Sequence, residues 1–185
     1  MLSTTTQRID GTRSAEHRGP AATIVSDGPE AGMNLRKGTA EDLELLISLR
    51  FSYLRDDLSE IAPEMERAVE AQLRRYLPEH LKSGDFQAFL AEEGGKIAAC
   101  AFLVLWEMPA NPSCPSGIRG TVFNVWTDPA FRRRGAATRI MNALIADARE
   151  SGATLLELSA TRQGRPLYEK LGFSLSENTA MRMTL

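Results

Sequence analysis

The chain contains few residues of the kinds that bind metals or form disulfides. Its 185 residues include two cysteines, Cys100 and Cys114, and two histidines, His17 and His80. Neither pair has the spacing of a zinc site, and two isolated cysteines do not make a disulfide framework. We therefore expect no metal, a buried thiol at Cys100, a loop position for Cys114 and a reducing, cytoplasmic location.

Long hydrophobic runs and a large excess of either charge are also lacking. The longest apolar run, residues 97–106, is far shorter than the roughly 20 residues of a membrane-spanning helix. The first residues contain no hydrophobic segment, so we expect no secretory signal. A balance of 22 basic and 24 acidic residues gives a net charge of −2, which provides no general attraction to nucleic acid or anionic membranes. Neither is therefore expected as a partner.

Composition divides the chain into two parts. Residues 1–32 are rich in Thr, Ser, Gly, Pro and Ala and have no apolar periodicity, which predicts a flexible N-terminal tail. Residues 33–185 predict one domain, in the order strand, two helices, three strands, helix, strand, helix, strand. This order is typical of an α/β fold with a single central mixed sheet flanked by helices.

Local patterns set the expected boundaries of these elements. Thr39 and Asp42 resemble a capping box that opens the first helix. Pro63 begins the second helix, and Pro78 bends or ends it unless residues 79–82 add a further turn. The strands are expected at residues 33–37, 86–91, 96–107, 122–127 and 154–160, with closing strands over 174–185 that place Met181 and Met183 on one face.

The most informative stretch is residues 122–138, VFNVWTDPAFRRRGAAT. An alternating strand leads through a tight loop to a helix predicted at 138–150. The first N–H groups of a helix have no internal partner and lie at the positive end of its dipole. Small residues at positions 135–137 would let a phosphate approach those N–H groups, so the loop is predicted to bind an anion. The alternative is a solvated basic turn.

A second signal follows at residues 164–173, GRPLYEKLGF. Pro166 suits the first turn of a short helix, and Gly172 suits the position just past its end. Tyr168 lies within that helix. Taken alone, it could equally be an amphipathic core tyrosine.

Together, in this order and at this spacing, the two motifs resemble the GCN5-related N-acetyltransferase (GNAT) superfamily. Its acetyl-CoA loop has the pattern Gln/Arg-x-x-Gly-x-Gly/Ala, which Arg132, Gly135 and Ala137 match. The resemblance covers the chain from Met33 to the C-terminus. It implies a GNAT-like acyl-CoA N-acyltransferase fold, acetyl-CoA as cosubstrate, and direct transfer of the acetyl group to a primary amine in a ternary complex.

The resemblance also implies roles for individual residues. Tyr168 matches the tyrosine that acts as general acid toward the leaving thiolate. Thr161 stands seven residues earlier, where many members carry an asparagine that contacts the cofactor. The pyrophosphate would meet backbone N–H groups of residues 133–138, and the pantetheine arm would pair with the strand. The implied cofactor-binding residues are Val125, Trp126, Thr127, Arg132, Arg133, Arg134, Gly135, Ala136, Ala137, Thr138 and Thr161.

Several questions stay open at this level. A general base is not singled out among Glu107, Asn124 acting through a water, Asp128 and Glu157. The acceptor is unidentified, and a homodimer is expected only by analogy. One alternative function is a non-catalytic acyl-CoA-binding sensor or regulatory module. Another class of phosphate-binding α/β protein is disfavoured because the chain has neither a P-loop nor a GxGxxG turn.

Overall fold

The computed structural model describes residues 32–58, 60–177 and 180–184. Five strands form one sheet in chain order: β1 (Met33–Lys37), β2 (Phe86–Glu93), β3 (Lys96–Glu107), β4 (Ile118–Thr127) and β5 (Leu155–Leu158). The first four strands are antiparallel, and β5 runs parallel to β4. The predicted single mixed sheet is confirmed. The tail predicted at 1–32 lies outside the described residues, apart from Gly32.

Helices cover both faces of this sheet. On one face lie α1 (Leu43–Asp57) and α2 (Pro63–Ser83), whose apolar side chains pack on Phe86 and Phe102. The other face is covered by α3 (Ala136–Glu150), which packs on Leu103. A short helix, α4 (Arg165–Lys170), follows β5. Residues 98–103 of β3 are buried throughout, as expected for a central strand covered on both sides.

The start of α1 follows the predicted capping pattern. Thr39 precedes a 3-10 turn (Ala40–Asp42) that leads directly into the helix. The Asp42 carboxylate accepts a hydrogen bond from the Thr39 N–H at 2.8 Å and pairs with Arg36 at 2.7 Å. These contacts fix where α1 leaves the edge of the sheet.

Pro78 does not end α2, and the expected further turn is present through Ser83. The residues after the proline are held by tertiary packing: Leu81 packs against the core, and the rings of Tyr76 and His80 stack at 3.8 Å. Gly84, with φ of +82°, ends the helix by donating its N–H to the His80 carbonyl at 3.0 Å. Packing thus outweighs the one hydrogen bond that proline removes.

The closing strands predicted over 174–185 are wrong for the described residues 174–177 and 180–184, which form no strand. Leu175, Met181 and Met183 are 71%, 93% and 82% exposed. A pattern of apolar residues forms a strand only where a surface covers one face. These side chains have no such cover in the part of the chain that the structure describes.

Both cysteines are free and buried. Burial raises the pKa of Cys100 to about 12, so its thiol stays protonated at neutral pH. We expect the native protein at pH 8 to react slowly with a disulfide reagent such as DTNB, and two thiols to react at once in guanidinium chloride. Rapid reaction of either thiol in the native protein would contradict this burial.

Candidate active site

The parallel strands β4 and β5 pair over only part of their length. Their register runs from Arg119 opposite Leu155 to Val122 opposite Leu158, where β5 ends. β4 continues to Thr127 and stays paired with β3 on its other side. Beyond Val122, the β5-side edge of β4 therefore carries main-chain groups that pair with no strand in the described part of the chain. An extended, amide-containing ligand could pair with such an edge.

A β-bulge interrupts β4 along this open edge. The register passes from Phe123 opposite Phe102 to Trp126 opposite Cys100, so two residues of β4 oppose one of β3. As a result, Phe123 and Trp126 pack on the same face of the sheet although they are three residues apart. Asn124 has φ of +53°, in the left-handed region that asparagine adopts more readily than most residues.

The Asn124 side chain fastens this bulge to α1. It is 1% exposed, and its Nδ2 donates to the Leu49 carbonyl at 3.3 Å and to Cys100 Sγ at 3.5 Å. Its Oδ1 accepts a hydrogen bond from Arg50 Nη1 at 3.2 Å. Asn124 was a candidate to act as general base through a bound water. Its amide instead forms the hydrogen bonds that hold the bulge against α1.

The loop after β4 leads to the N-terminus of α3. Asp128 Oδ1 accepts from the Ala130 N–H at 2.8 Å and begins a 3-10 turn (Pro129–Phe131). Arg133 has φ of +64°, and Gly135, with φ of +80°, is the N-cap residue of α3. The helix begins at Ala136, two residues before the predicted start, so Ala136, Ala137 and Thr138 form its first turn. The first N–H groups of a helix have no carbonyl partner within it, so this turn has the chemistry of an anion-binding site.

The three consecutive arginines have different contacts. Arg132 donates to the Thr127 carbonyl at 3.1 Å and to Asp56 at 2.7 Å. Arg134 pairs with Glu93 at 3.2 Å. Arg133 is exposed and forms no ion pair with any residue that the structure describes. Of the three guanidinium groups, that of Arg133 is the one most available to a bound anion.

Asp56 of α1 contacts both β4 and the loop that follows it. Its Oδ2 accepts from Trp126 Nε1 at 3.0 Å as well as from Arg132. The end of β4 and the start of the loop are therefore held by one carboxylate from a distant part of the chain. Sequence reasoning missed Asp56, because an exposed acidic residue near a helix end has no distinguishing local pattern.

Tyr168 lies in α4 and is half-buried. It packs against the same apolar cluster as Val125, and its ring meets that of Phe173 edge-on at 6.1 Å. Burial raises the pKa of Tyr168 above its ordinary value of 10, and the neighbouring Tyr53 adds to this shift. The phenol therefore remains a proton donor throughout the neutral range.

Thr161 holds the loop that leads into α4. Its Oγ1 accepts from the Gly164 N–H and its carbonyl accepts from the Arg165 N–H, both at 3.0 Å. The hydroxyl keeps its own proton and can still donate it to a ligand. The threonine thus supports the loop that carries Tyr168.

The acidic candidates for a general base have other contacts. Asp128 orders its own turn, and Glu157 forms an ion pair with Arg119 at 3.0 Å. Glu107 is exposed at the end of β3, opposite Ile118. The geometry therefore favours none of these carboxylates as the group that deprotonates an amine.

A cavity of about 440 Å³ opens between α1, α2 and the sheet. Its walls are mostly apolar and aromatic, and Arg50 is the one charged side chain among the lining residues that the structure describes. Sequence reasoning gave Arg50 no function. The available signal was its spacing: Arg50 falls on the apolar stripe of α1 that includes Leu46, Ile47 and Leu54, where a cation is unusual.

Comparison with known proteins agrees with this architecture. The family model "Acetyltransferase (GNAT) family" matches residues 51–173. A GCN5-related N-acetyltransferase from Ralstonia eutropha JMP134 is 31% identical, with a TM-score of 0.72 over 82% of this chain and 99% of that chain. A predicted acetyltransferase from Clostridium acetobutylicum, solved with acetyl-CoA, is 30% identical, with a TM-score of 0.73 over 82% of this chain and 96% of that chain. A search of curated proteins gave no match.

More distant structures share the fold. Glucosamine-6-phosphate N-acetyltransferase from Arabidopsis thaliana is 20% identical, with a TM-score of 0.61 over 83% of this chain and 97% of that chain. On the family match and the two closer structures, this chain belongs to the GNAT acetyltransferase family, as the two motifs predicted. It is an acyltransferase.

The described residues contain neither a membrane-spanning helix nor a cluster of metal-ligating side chains. None of their helices has the length and apolar character to cross a membrane. Within the same residues, no group of three or more His, Cys, Asp and Glu side chains is placed to hold a metal ion.

Proposed function

We propose that residues 33–185 form an N-acetyltransferase domain that moves the acetyl group of acetyl-CoA directly to a primary amine of an acceptor in a ternary complex. The observation that carries the proposal is the continuity of the open β4 edge, beyond Val122, with the Gly135 loop. This continuity offers main-chain pairing for a pantetheine arm and, at its end, N–H groups for a pyrophosphate.

The proposed contacts follow the path of the chain. Main-chain groups of Val125, Trp126 and Thr127 pair with the amides of the pantetheine arm. Backbone N–H groups of residues 133–138 bind the pyrophosphate, with Arg133 adding a charge-assisted contact. Arg132 and Arg134 hold the loop in shape through Asp56 and Glu93. The small side chains of Gly135, Ala136 and Ala137 let the phosphates approach, and Thr161 contributes a hydroxyl near the sulfur end.

The reaction forms a nitrogen–carbon bond and breaks the carbon–sulfur bond of the thioester. A neutral amine attacks the carbonyl, whose oxygen gains charge and is stabilised by a main-chain N–H at the bulge. The CoA thiolate leaves and receives a hydrogen bond or a proton from Tyr168. The amine loses its extra proton to solvent or to a base. No acyl-enzyme intermediate is required.

The experiment is calorimetric titration with acetyl-CoA of the wild type and two glutamate variants. We expect micromolar binding by the wild type and loss of at least about 100-fold in affinity for Gly135→Glu, since bulk and negative charge would occupy the pyrophosphate position. Gly84→Glu is the matched control. Gly84 has nearly the same backbone conformation, φ of +82° against +80°, but lies at the end of α2.

Equal loss of acetyl-CoA affinity in both variants would attribute the loss to backbone strain and not to a pyrophosphate site at Gly135. Absence of acetyl-CoA binding by the wild type would overturn the proposal. Where binding is found, a panel of primary amines with detection of released CoA thiol tests turnover, and the buried cysteines keep the protein's own thiol signal low. Binding with no turnover across a broad panel would instead indicate a non-catalytic acyl-CoA module.

A further inference from the structure

The cavity beside the bulge has the character of a site for a small, largely apolar molecule. Its volume of about 440 Å³ is within the range of small-ligand pockets, and its walls include the rings of Tyr76, Phe86, Phe102 and Phe123. It adjoins the proposed thioester position, since Phe123 is the residue immediately before the bulge. An acceptor that occupied it would lie next to the site of acetyl transfer.

Arg50 places a positive charge in the wall of this cavity. Its guanidinium lies 5.5 Å from the ring centre of Phe123 and 5.7 Å from that of Tyr53. It makes one hydrogen bond, from Nη1 to Asn124, which leaves Nε and Nη2 without a hydrogen-bond partner among the described residues. Burial acts to lower the pKa of Arg50, which shows that its charge is partly removed from water.

No carboxylate in the described residues forms an ion pair with Arg50. Tyr53 and, to a smaller extent, the exposed Asp57 act to raise the pKa of Arg50, but Asp57 forms no ion pair with it. Arg55 of α1 pairs with Glu66, and Arg74 of α2 pairs with Glu44 and Glu70. Arg67 and Arg75 of α2 form no ion pair with a described residue, but unlike Arg50 both are exposed to water. A partly desolvated cation with no acidic partner lowers the stability of the folded protein unless an anion binds next to it.

We propose that the cavity is the acceptor site and that Arg50 binds a carboxylate of the acceptor. This inference rests on the proposed function. The substrate class is then primary amines that carry one carboxylate and an apolar or aromatic body. A single guanidinium matches a single carboxylate in charge and in its two-pronged geometry. A phosphate dianion would keep part of its charge unbalanced, because Arg50 is the one cation among the described residues that line the cavity.

The test compares acceptors as matched carboxylate and carboxamide pairs, using apolar α-amino acids and aromatic ω-amino acids with their amides. Rates of CoA release are measured for wild type, Arg50→Met, Arg50→Lys and the control Arg75→Met. Arg75 lies on the exposed face of α2. We expect the wild type to prefer carboxylates, and Arg50→Met to raise KM for carboxylates roughly 10- to 100-fold with little change for carboxamides. Arg50→Lys should retain part of the preference, and Arg75→Met all of it.

A different result would show that Arg50 only supports Asn124. In that case Arg50→Met would lower kcat equally for carboxylates and carboxamides and would weaken acetyl-CoA binding. Equal use of both acceptor types by the wild type, or preference for phosphorylated amines, would also overturn the inference. These outcomes leave acetyl-CoA binding by the wild type intact, whereas failure of the proposed function would abolish it.

Discussion

Replacing Tyr168 with phenylalanine is expected to lower kcat by roughly 100-fold or more, with little change in acetyl-CoA affinity. In the proposed reaction the phenol protonates or hydrogen-bonds the leaving thiolate, an interaction made only as the carbon–sulfur bond breaks. Because the ring packs against Phe173 and the apolar cluster, phenylalanine keeps the packing and removes only the hydroxyl. Steady-state kinetics with a saturating amine, together with acetyl-CoA titration, measures both quantities.

The pH dependence gives this prediction a second measurement. Burial raises the pKa of Tyr168 above 10, so the protonated phenol persists to pH 10 and is lost only as pH rises through that higher value. The wild type should therefore show a fall in kcat above pH 10 that the phenylalanine variant lacks. Tyr53→Phe, which removes the neighbouring hydroxyl, serves as a control and should leave kcat largely unchanged. A Tyr168→Phe enzyme with wild-type kcat would assign the tyrosine to packing alone.

Asn124→Val is expected to destabilise the fold by about 3 kcal/mol and to weaken acetyl-CoA binding. The change removes the amide bonds to Leu49 and Arg50 and forces a β-branched side chain into a positive φ. For a chain of this size the melting temperature should fall by roughly 6 to 12 °C, which calorimetry measures. Loss of the bulge would also shift the open edge of β4, which is why cofactor affinity should fall with stability.

Asn124→Gly separates these two causes. Glycine adopts a positive φ without strain, so this variant loses the amide contacts and keeps the backbone conformation. We expect it to be less destabilised than Asn124→Val and to retain more of the acetyl-CoA affinity. Valine and glycine variants with the same stability and affinity would show that the backbone conformation at this position contributes nothing.

The sequence predicted those features of the fold that depend on neighbouring residues. The strand, loop and helix around Gly135, the short helix that carries Tyr168 and the family itself follow from residues close together in the chain. The roles of Tyr168 and the loop residues remain predictions that the variants above address. The β4 bulge could not be predicted, because four of the five residues at 122–126 are apolar and such a run does not show where an extra residue falls. The extra residue is defined only by the register of β4 against β3.

Long-range contacts account for what sequence reasoning missed. Asp56 meets Arg132 and Trp126, and Arg50 meets Asn124, across some seventy residues of chain. No local pattern connects such residues. The prediction of closing strands was wrong for a related reason. The spacing of Met181 and Met183 suits a strand, but both side chains are highly exposed, so no described residue covers them.

Helix α1 belongs to both halves of the proposed ternary complex. Arg50 lines the proposed acceptor cavity, while Asp56, on the same helix, holds the start of the proposed acetyl-CoA loop. A movement of α1 would therefore alter both sites at once, which makes this helix a physical route for thermodynamic linkage between the two substrates. Linkage is reciprocal: the factor by which acetyl-CoA changes acceptor affinity must equal the factor by which the acceptor changes acetyl-CoA affinity. The Asp56 contacts thus connect a local detail of the loop to the strength of the coupling between the two substrates.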